Sequence, residues 1–354
     1  MSHLSRARSP HSSPLSGKIS VLPRTMARAM SKYASTTEAA AGVERINMLL
    51  VNAYLLGDRG ANDRQWILVD AGVALSASCI MAAAEKRFGC ESRPAAIILT
   101  HGHFDHVGAL PQLADSWDVP IYCHRLEVPY LSGRSSYPPP DPGAGGGMMS
   151  VMSRFFPRGP YDFQGRLQAL PENGAVPGAP RWRWIHTPGH APGHVALFRD
   201  DDHSLIAGDA FVCTQQESLL AVLLQKAKIC RPPAYYTPDW PAARRSVERL
   251  LALQPVMAAT GHGPPIFGAE LQAGLRKLLF DWAAEAVPRG GRYSVRPAIA
   301  DGNGTKSVPP ASHAATMQVV VTLGVAAIIG ASLLLLRRGT SAHSTDTIPR
   351  DPGS

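Results

Sequence analysis

The nine residues "THGHFDHVG", Thr100–Gly108, restrict the fold more than any other stretch of the chain. Three histidines and one aspartate (His101, His103, Asp105 and His106) fall directly behind the apolar run "AAIILT". Such a run reads as a buried strand, so the polar cluster stands where that strand leaves its sheet. Imidazole nitrogens and carboxylate oxygens are the usual protein ligands of zinc and related divalent ions. His101 and His103, two apart in an extended segment, project to the same side and can hold one ion together. Asp105 and His106 follow as the chain turns toward a helix, and they can face a second position.

The surrounding pattern supplies the layers such a cluster needs. "INMLLVNAYLL" and "QWILVDAG" are strand-like runs separated by the turn-like "GDRGANDR", which predicts a hairpin. "VALSASCIMAAAEKRFG" is Ala-rich with spaced apolar residues and a glycine stop at Gly89, which predicts a helix. "VGALPQLADSW" reads as a further helix and "VPIYCH" as a further strand. This alternation predicts an α/β layered domain. Strands resume at "RWRWIHTPGH", "HVALF" and "SLIAGDA". "TPDWPAARRSVERLLALQP" follows as a helix with Asp239 at its N-cap, then the strand and loop "VMAATGHGPP" and the amphipathic "GAELQAGLRKLLFDWAAEA".

Three of these later segments repeat the first theme. "TPGHAPGH" offers His190 and His194, "AGDAF" offers Asp209 and "TGHGP" offers His262, each after a predicted strand and beside a glycine that permits close backbone approach. Loops at strand ends are where sites gather in layered α/β domains. Asp70, ending "ILVDAG", reads either as a group orienting a ligand from behind or as a cap on the following helix. Tyr235 and Tyr236 read as packing residues first, with a phenol reaching a substrate oxygen as the alternative. His124, His186 and His203 read as surface or structural residues, and the six tryptophans as core.

Charge and composition set limits at the ends. Residues 1–37 hold six Lys/Arg and no acid, and residues 286–354 seven Lys/Arg against three acids, so the net +8 of the whole leaves the middle at −2. A mildly acidic middle argues against nucleic acid as a partner. Five cysteines without a C-x-x-C pair read as separate thiols rather than a disulfide framework. Residues 1–42 read as a basic, disordered tail, since Pro10, Pro14 and Pro23 interrupt the amphipathic helix of a targeting segment. Residues 137–180 are irregular and rich in Pro and Gly, with "MMSVMSRFFPRGPYDF" inside. They read either as a lid or binding loop or as a short helix packed on the core. The Gly- and Pro-rich residues 286–317 read as a linker. Val319–Leu336 are 18 residues without a charge, ending in Arg337 and Arg338. As a helix they cover about 27 Å, close to the hydrocarbon thickness of a bilayer, which predicts a single transmembrane helix over 318–337 and a short tail over 338–354. The membrane is thus an expected partner, with the catalytic domain expected on the cytoplasmic side.

With "THGHFDH", "TPGHAPGH", "GDA" and "GHG" in this order, residues 43–285 resemble the metallo-β-lactamase superfamily, and within it the hydroxyacylglutathione hydrolase (glyoxalase II)-like branch. The resemblance implies a four-layer αββα sandwich with a dinuclear metal site at one edge of its sheets. Carried over residue by residue, His101, His103 and His190 would hold one ion. Asp105, His106 and His262 would hold the other, with Asp209 bridging both and His194 in a turn or supporting role. The antibiotic-hydrolysing branches have a cysteine, or no bridging carboxylate, where Asp209 stands. The flavodiiron branch has a glutamate in place of His103 and an additional flavodoxin-like domain. The tRNA-processing nucleases would want a basic arm.

The resemblance implies two divalent ions, zinc first and iron or manganese as alternatives. Two ions about 3.5–4 Å apart share a water and yield a bridging hydroxide near neutral pH. The expected reaction is hydrolysis of a small acyl compound, a thioester first and a lactone or ester next. Asp209 would bridge the ions and Asp105 would assist proton movement. Two other readings stand beside it: a mononuclear-iron persulfide dioxygenase using only the first set, and a non-catalytic membrane-tethered binding module.

Overall fold

A computed structural model describes residues 34–311. Its first sheet has seven strands in sequential order: β1 (Ser35–Ala40), β2 (Val43–Asn47), β3 (Asn52–Leu56), β4 (Ile67–Val69), β5 (Ala96–Ile98), β6 (Ile121–Cys123) and β7 (Leu167–Ala169). Neighbours are antiparallel from β1 to β4 and parallel from β4 to β7. The second sheet runs β12 (Ile266–Phe267), β11 (Met257–Thr260), β10 (Ser204–Gly208), β9 (Val195–Arg199), β8 (Trp182–His186). Only β10 and β11 are parallel neighbours in it. A small hairpin, β13 (Ile299–Asp301) and β14 (Gly304–Ser307), stands apart from both.

The central strands are apolar at nearly every position because both of their faces are buried. Along β3, Ala53 and Leu55 face one core while Tyr54 and Leu56 face another. The same alternation divides Leu68 from Ile67 and Val69 in β4, and Ile97 from Ala96 and Ile98 in β5. In the second sheet Leu197, Ile206 and Ala259 meet the first sheet, while Phe198, Leu205 and Ala258 face outward. The helices Ala77–Phe88 and Leu110–Trp117 cover the outer face of the first sheet through Ile80, Ala84, Leu110 and Leu113. Trp240–Ala252 and Gly268–Phe280 cover the second through Val247, Leu250, Leu271 and Leu275. Three cores between four layers make the αββα sandwich. Each fully buried aliphatic side chain contributes about 1.5–3 kcal/mol by leaving water.

Helix ends follow local chemistry. Asp239 accepts from the Ala242 amide at 2.9 Å, the N-cap expected of it. Gly89 closes Ala77–Phe88 at φ 95°, a conformation open to glycine.

Three expectations are corrected. The tail placed over residues 1–42 contains a strand, since β1 pairs with β2 from Ser35↔Asn47 to Ala40↔Val43. A polar, mostly exposed edge strand carries little hydrophobic signal, so it reads as tail. "INMLLVNAYLL" is not one strand: it folds back at Met48–Val51, so β2 and β3 form a hairpin with Asn47 opposite Asn52. The linker placed over 286–317 is packed on the domain as far as it is described. Ala286 and Tyr293 are buried, with Val287, Ala298 and Val308 against the same core. Tyr293 donates to Pro139 O at 2.6 Å, and Thr305 Oγ1 to Ser136 O at 3.0 Å. Hydrogen bonds to a loop, rather than membership of a large sheet, hold this stretch, and composition does not reveal that.

No helix among the described residues is long and apolar enough to cross a membrane. The span expected over 318–337, the tail over 338–354 and residues 1–33 lie outside the described residues.

Candidate metal centre

Five strand ends build the centre. β4 and β5 are parallel, so Asp70 and the loop Thr100–His103 leave the first sheet at the same end. β8 and β10 each run antiparallel to β9, and β11 runs with β10, so His190, Asp209 and His262 leave the second sheet at one end. The two ends are sewn together. The Asn52 amide donates to Gly261 O at 2.7 Å, and Asn52 Nδ2 donates to Thr260 O and Gly263 O, each at 2.8 Å. Tyr54 OH adds a 2.6 Å bond to Thr260 O. Glycine before His262 is a steric requirement: a Cβ on Gly261 would lie 2.1 Å from Asp209 Oδ1 and 2.7 Å from His106 Cε1.

All seven residues expected to hold metal are brought together. Their donor atoms form three overlapping groups, each with all atoms within 4.8 Å of one another: His101, His103 and His190; His101, His106 and Asp209; Asp105, His106 and His262. Asp209 Oδ2 sits between the outer groups, 3.4 Å from His190 Nε2, 3.1 Å from His262 Nε2 and 3.7 Å from His106 Nε2. Asp105 Oδ2 is 3.5 Å from His262 Nε2.

Groups behind the donors aim them. Asp70 accepts from the Thr100 amide and hydroxyl, each at 2.8 Å, and from His106 Nδ1 at 2.8 Å. Asp70 is therefore not a helix cap. With its hydroxyl hydrogen given to Asp70, Thr100 Oγ1 accepts from His101 Nδ1 at 3.1 Å. Thr237, whose hydroxyl donates to Pro233 O, accepts from His190 Nδ1 at 3.3 Å. Leu50 O accepts from His262 Nδ1 at 2.6 Å. In each case Nδ1 carries the hydrogen and Nε2 turns its lone pair inward. His194 lies outside the donor groups: its Nε2 accepts from the Asp209 amide at 2.8 Å and holds that carboxylate's backbone.

The fit to cations rests on atoms that have no other partner. His101 Nε2, His106 Nε2 and Asp209 Oδ1 are buried without a hydrogen bond, a costly state for a polar atom. His103 Nδ1 and His190 Nε2 face each other at 3.0 Å, a geometry that calls for a shared proton or cation. Burial pushes the His101 and His103 imidazoles well below their ordinary value and His190 down to about 3, which leaves their lone pairs free at neutral pH. The other side has the opposite bias. Burial opposes the charge of His106 and His262, yet Asp209 and Asp105, joined by Asp70 at His106, pull both upward. Asp209 is held far below the usual carboxylate range despite burial, through His262 and His106. The pocket therefore favours positive charge at its centre.

Two supporting residues carry no signal in the sequence. Glu127 is fully buried and joins both histidine loops, accepting from the Gly102 amide at 2.9 Å and the Gly193 amide at 2.7 Å. Tyr137 donates to the same carboxylate and sets its ring edge-on against His103. Tyr236 stacks on His103, with ring centroids 4.6 Å apart, and packs with Phe104 and Phe156. It joins packing to direct contact with a donor. His124 and His186 stack on each other, and His203 bonds Leu253 O. Beside His103 and His190, Tyr137, Pro139, Tyr236, Pro238 and Tyr293 close on a crevice too narrow to hold a water molecule. Tyr293 belongs to the stretch read as linker. The larger cleft lined by Asn62, Arg93 and Trp117 holds none of the donor residues.

The family model of the metallo-beta-lactamase superfamily matches residues 46–262. Among known proteins, the probable metallo-hydrolase YflN of Bacillus subtilis (strain 168) is 44% identical over 241 residues, which is 68% of this chain and 91% of that protein. The probable metallo-hydrolase YybB of the same organism is 32% identical over 124 residues, covering 35% of this chain and 49% of YybB. The crystal structure of TTHA1623 in a di-iron-bound form is similar at TM-score 0.44 and 26% identity, over 63% of this chain and 92% of that one.

Proposed function

This chain belongs to the metallo-β-lactamase superfamily, and from that premise we propose that it is a dinuclear metal-dependent hydrolase of a small acyl compound, a thioester first and a lactone or ester next. One observation carries the reading. Asp209 stands between two donor sets, with its Oδ1 and the inward nitrogens of His101 and His106 left without partners. On this reading His101, His103 and His190 hold one ion, Asp105, His106 and His262 the other, and Asp209 touches both. Zinc leads as the ion, and iron or manganese would suit the same donors. When bound, such ions acidify water and polarise a carbonyl oxygen.

The chain's own residues do the rest. Neutral imidazoles, kept so by burial, offer lone pairs without competing protons. Asp70, Thr100, Thr237 and Leu50 O hold the rings in the one tautomer that serves. Asp105, whose carboxyl burial pushes upward, is placed to take or return a proton at Oδ2. Tyr137, Pro139, Tyr236 and Tyr293 close tightly on His103 and His190 and keep water from that side of the centre. The thioesterase preference rests on the "TPGHAPGH" and "GDA" pattern, which is most like the glyoxalase II-like branch. The membrane assignment rests on Val319–Leu336.

The test is hydrolysis of a thioester, lactone and ester panel by the full chain, with metal content measured on the same sample. The reading expects thioester turnover that chelation abolishes and divalent metal restores. One iron per chain with dioxygen consumption on a persulfide would overturn it in favour of an oxidoreductase.

A further inference from the structure

Beside the metal centre two short helices turn apolar side chains outward. In Leu219–Leu223 only Val222 points inward, while Leu220 and the following Leu224 are 66% and 68% exposed. In Met148–Met152 and the turn after it, Met148, Met152 and Phe155 are exposed in the same way, Phe155 at 73%. The two segments touch: the Met149 amide donates to Glu217 O at 3.4 Å, and a Cβ on Gly147 would lie 2.3 Å from that oxygen. Met149 itself is buried against Tyr235 and Tyr236, with Phe104 and Phe156 beside them. Met149 thus ties the helix that carries Met148 and Met152 to the aromatic wall that stacks on His103. Side chains this exposed belong to an open surface, and a contiguous apolar surface of this kind marks an interaction site.

Charge selects the partner. Arg154, whose guanidinium lies over the Phe155 ring, and Lys226 are exposed within the two segments, whereas Lys228 lines a neighbouring cleft with Glu270 and Glu285. Residues 142–160 contain no acid, and residues 213–232 contain only Glu217, which is buried and taken up by the Ala234 amide and Arg231. Apolar side chains rimmed by Lys and Arg are the pattern of an element that lies on an anionic lipid surface. A second copy meeting this face by two-fold symmetry would oppose one cationic rim to another. The route of the chain agrees. Tyr293 and Thr305 are bonded to Pro139 and Ser136, so the last described stretch runs beside residues 135–141, at the start of the loop that leads to Met148–Met152. Seven residues, 312–318, separate Ala311 from the apolar Val319, a reach of at most ~28 Å.

We propose that the face formed by Met148, Met152, Phe155, Leu220 and Leu224 docks on the anionic surface of a bilayer, so that the metal centre opens at the lipid interface. The proposal does not depend on which acyl compound is hydrolysed. It is tested by hydrogen–deuterium exchange on the full chain in phosphatidylcholine nanodiscs, with and without phosphatidylglycerol, and in detergent. Amides of 148–155 and 219–226 exchange about tenfold more slowly in the anionic discs, while the distant helix Ala77–Phe88 exchanges equally in all three. R154E/K226E removes the dependence on phosphatidylglycerol, and L220E/L224E removes the slowing altogether, with Ala77–Phe88 reporting that both variants are folded. If the chain does not integrate, the same contrast holds with vesicles of the two compositions added to it, because docking needs only this face. Equal exchange in anionic discs and in detergent overturns the proposal. Slowing in detergent that grows with protein concentration overturns it in favour of a second copy.

Discussion

The two donor sets of the centre share Asp209 and differ in almost everything else. His101, His103 and His190 form an all-imidazole set in which burial strips the rings of their protons. Asp105, His106 and His262 form a mixed set, where Asp209 and Asp105, with Asp70 beyond His106, draw positive charge onto the rings. The first set is neutral and ready to donate, and the second gathers positive charge around its carboxylates. The comparison teaches that the two proposed ions are held by different terms, lone-pair donation on one side and carboxylate charge on the other. The sets should therefore fail differently when perturbed.

The residue common to both sets tests the comparison most severely. Asp209→Asn keeps the shape and removes the shared charge, so both ions should leave and hydrolysis should fall by at least ~10³-fold, about 4 kcal/mol of barrier. Metal content and turnover measured together check this, and a variant that kept both ions would break the picture of a shared carboxylate. His103→Ala and His262→Ala come next. Each should leave one ion per chain and cost about 10²-fold or more in turnover. His262→Ala should also free Asp209 to take a proton at a higher pH, because His262 is the foremost group holding that carboxyl down.

The carbonyl-to-carboxylate backing of the rings is a smaller lever. Asp70→Asn leaves an amide facing His106 Nδ1 and Thr100, and should weaken metal at the mixed set about 10–100-fold. Thr237→Val removes the partner of His190 Nδ1 alone, so its loss should fall on the imidazole set. A competition titration with a chelator separates the two.

The metal-free chain should show the smallest effect, in its stability against pH. His101, His103, His190 and His194 have folded values below the ordinary 6.5. Below about pH 6.5 the unfolded chain therefore binds more protons than the folded one, and stability is lost as pH falls from there toward the folded value of about 3 at His190. His106 and His262 are raised, so their contribution is present at low pH and lost as pH rises through their folded values. Burial lowers His124 and His186 as well, so six imidazoles act in this direction against the raised carboxyls of Asp105 and Glu127, and the melting temperature in chelator should drop by several degrees between pH 7 and pH 5. A flat or rising profile would mean that the mixed set governs.

The donor residues were legible because their chemistry is rare at strand ends and five of the seven, all but Asp105 and His106, stand beside a glycine whose Cβ space is already taken, as at Gly261. The layers were legible because strands buried on both faces read as unbroken apolar runs. Glu127 was not legible. Its task arises where the loops of Gly102 and Gly193 meet, and nothing in "HRLEVPY" sets one acid apart. The strand Ser35–Ala40 and the packed stretch 287–308 were missed for a related reason: edge pairing and loop-to-loop hydrogen bonds leave no hydrophobic period. Leu219–Leu223 inverts the usual burial of an apolar run, with Val222 inward and leucines outward.

The central claim is that this edge holds two ions on two unlike sets. The most direct measurement is a titration of the metal-stripped full chain with zinc, following heat of binding and restored turnover on one sample, in the native protein and in His262→Ala. The account predicts two binding events in the native chain, with turnover returning only as the second is filled, and a single event without turnover in the variant. A single event that restores full turnover in both proteins would contradict it.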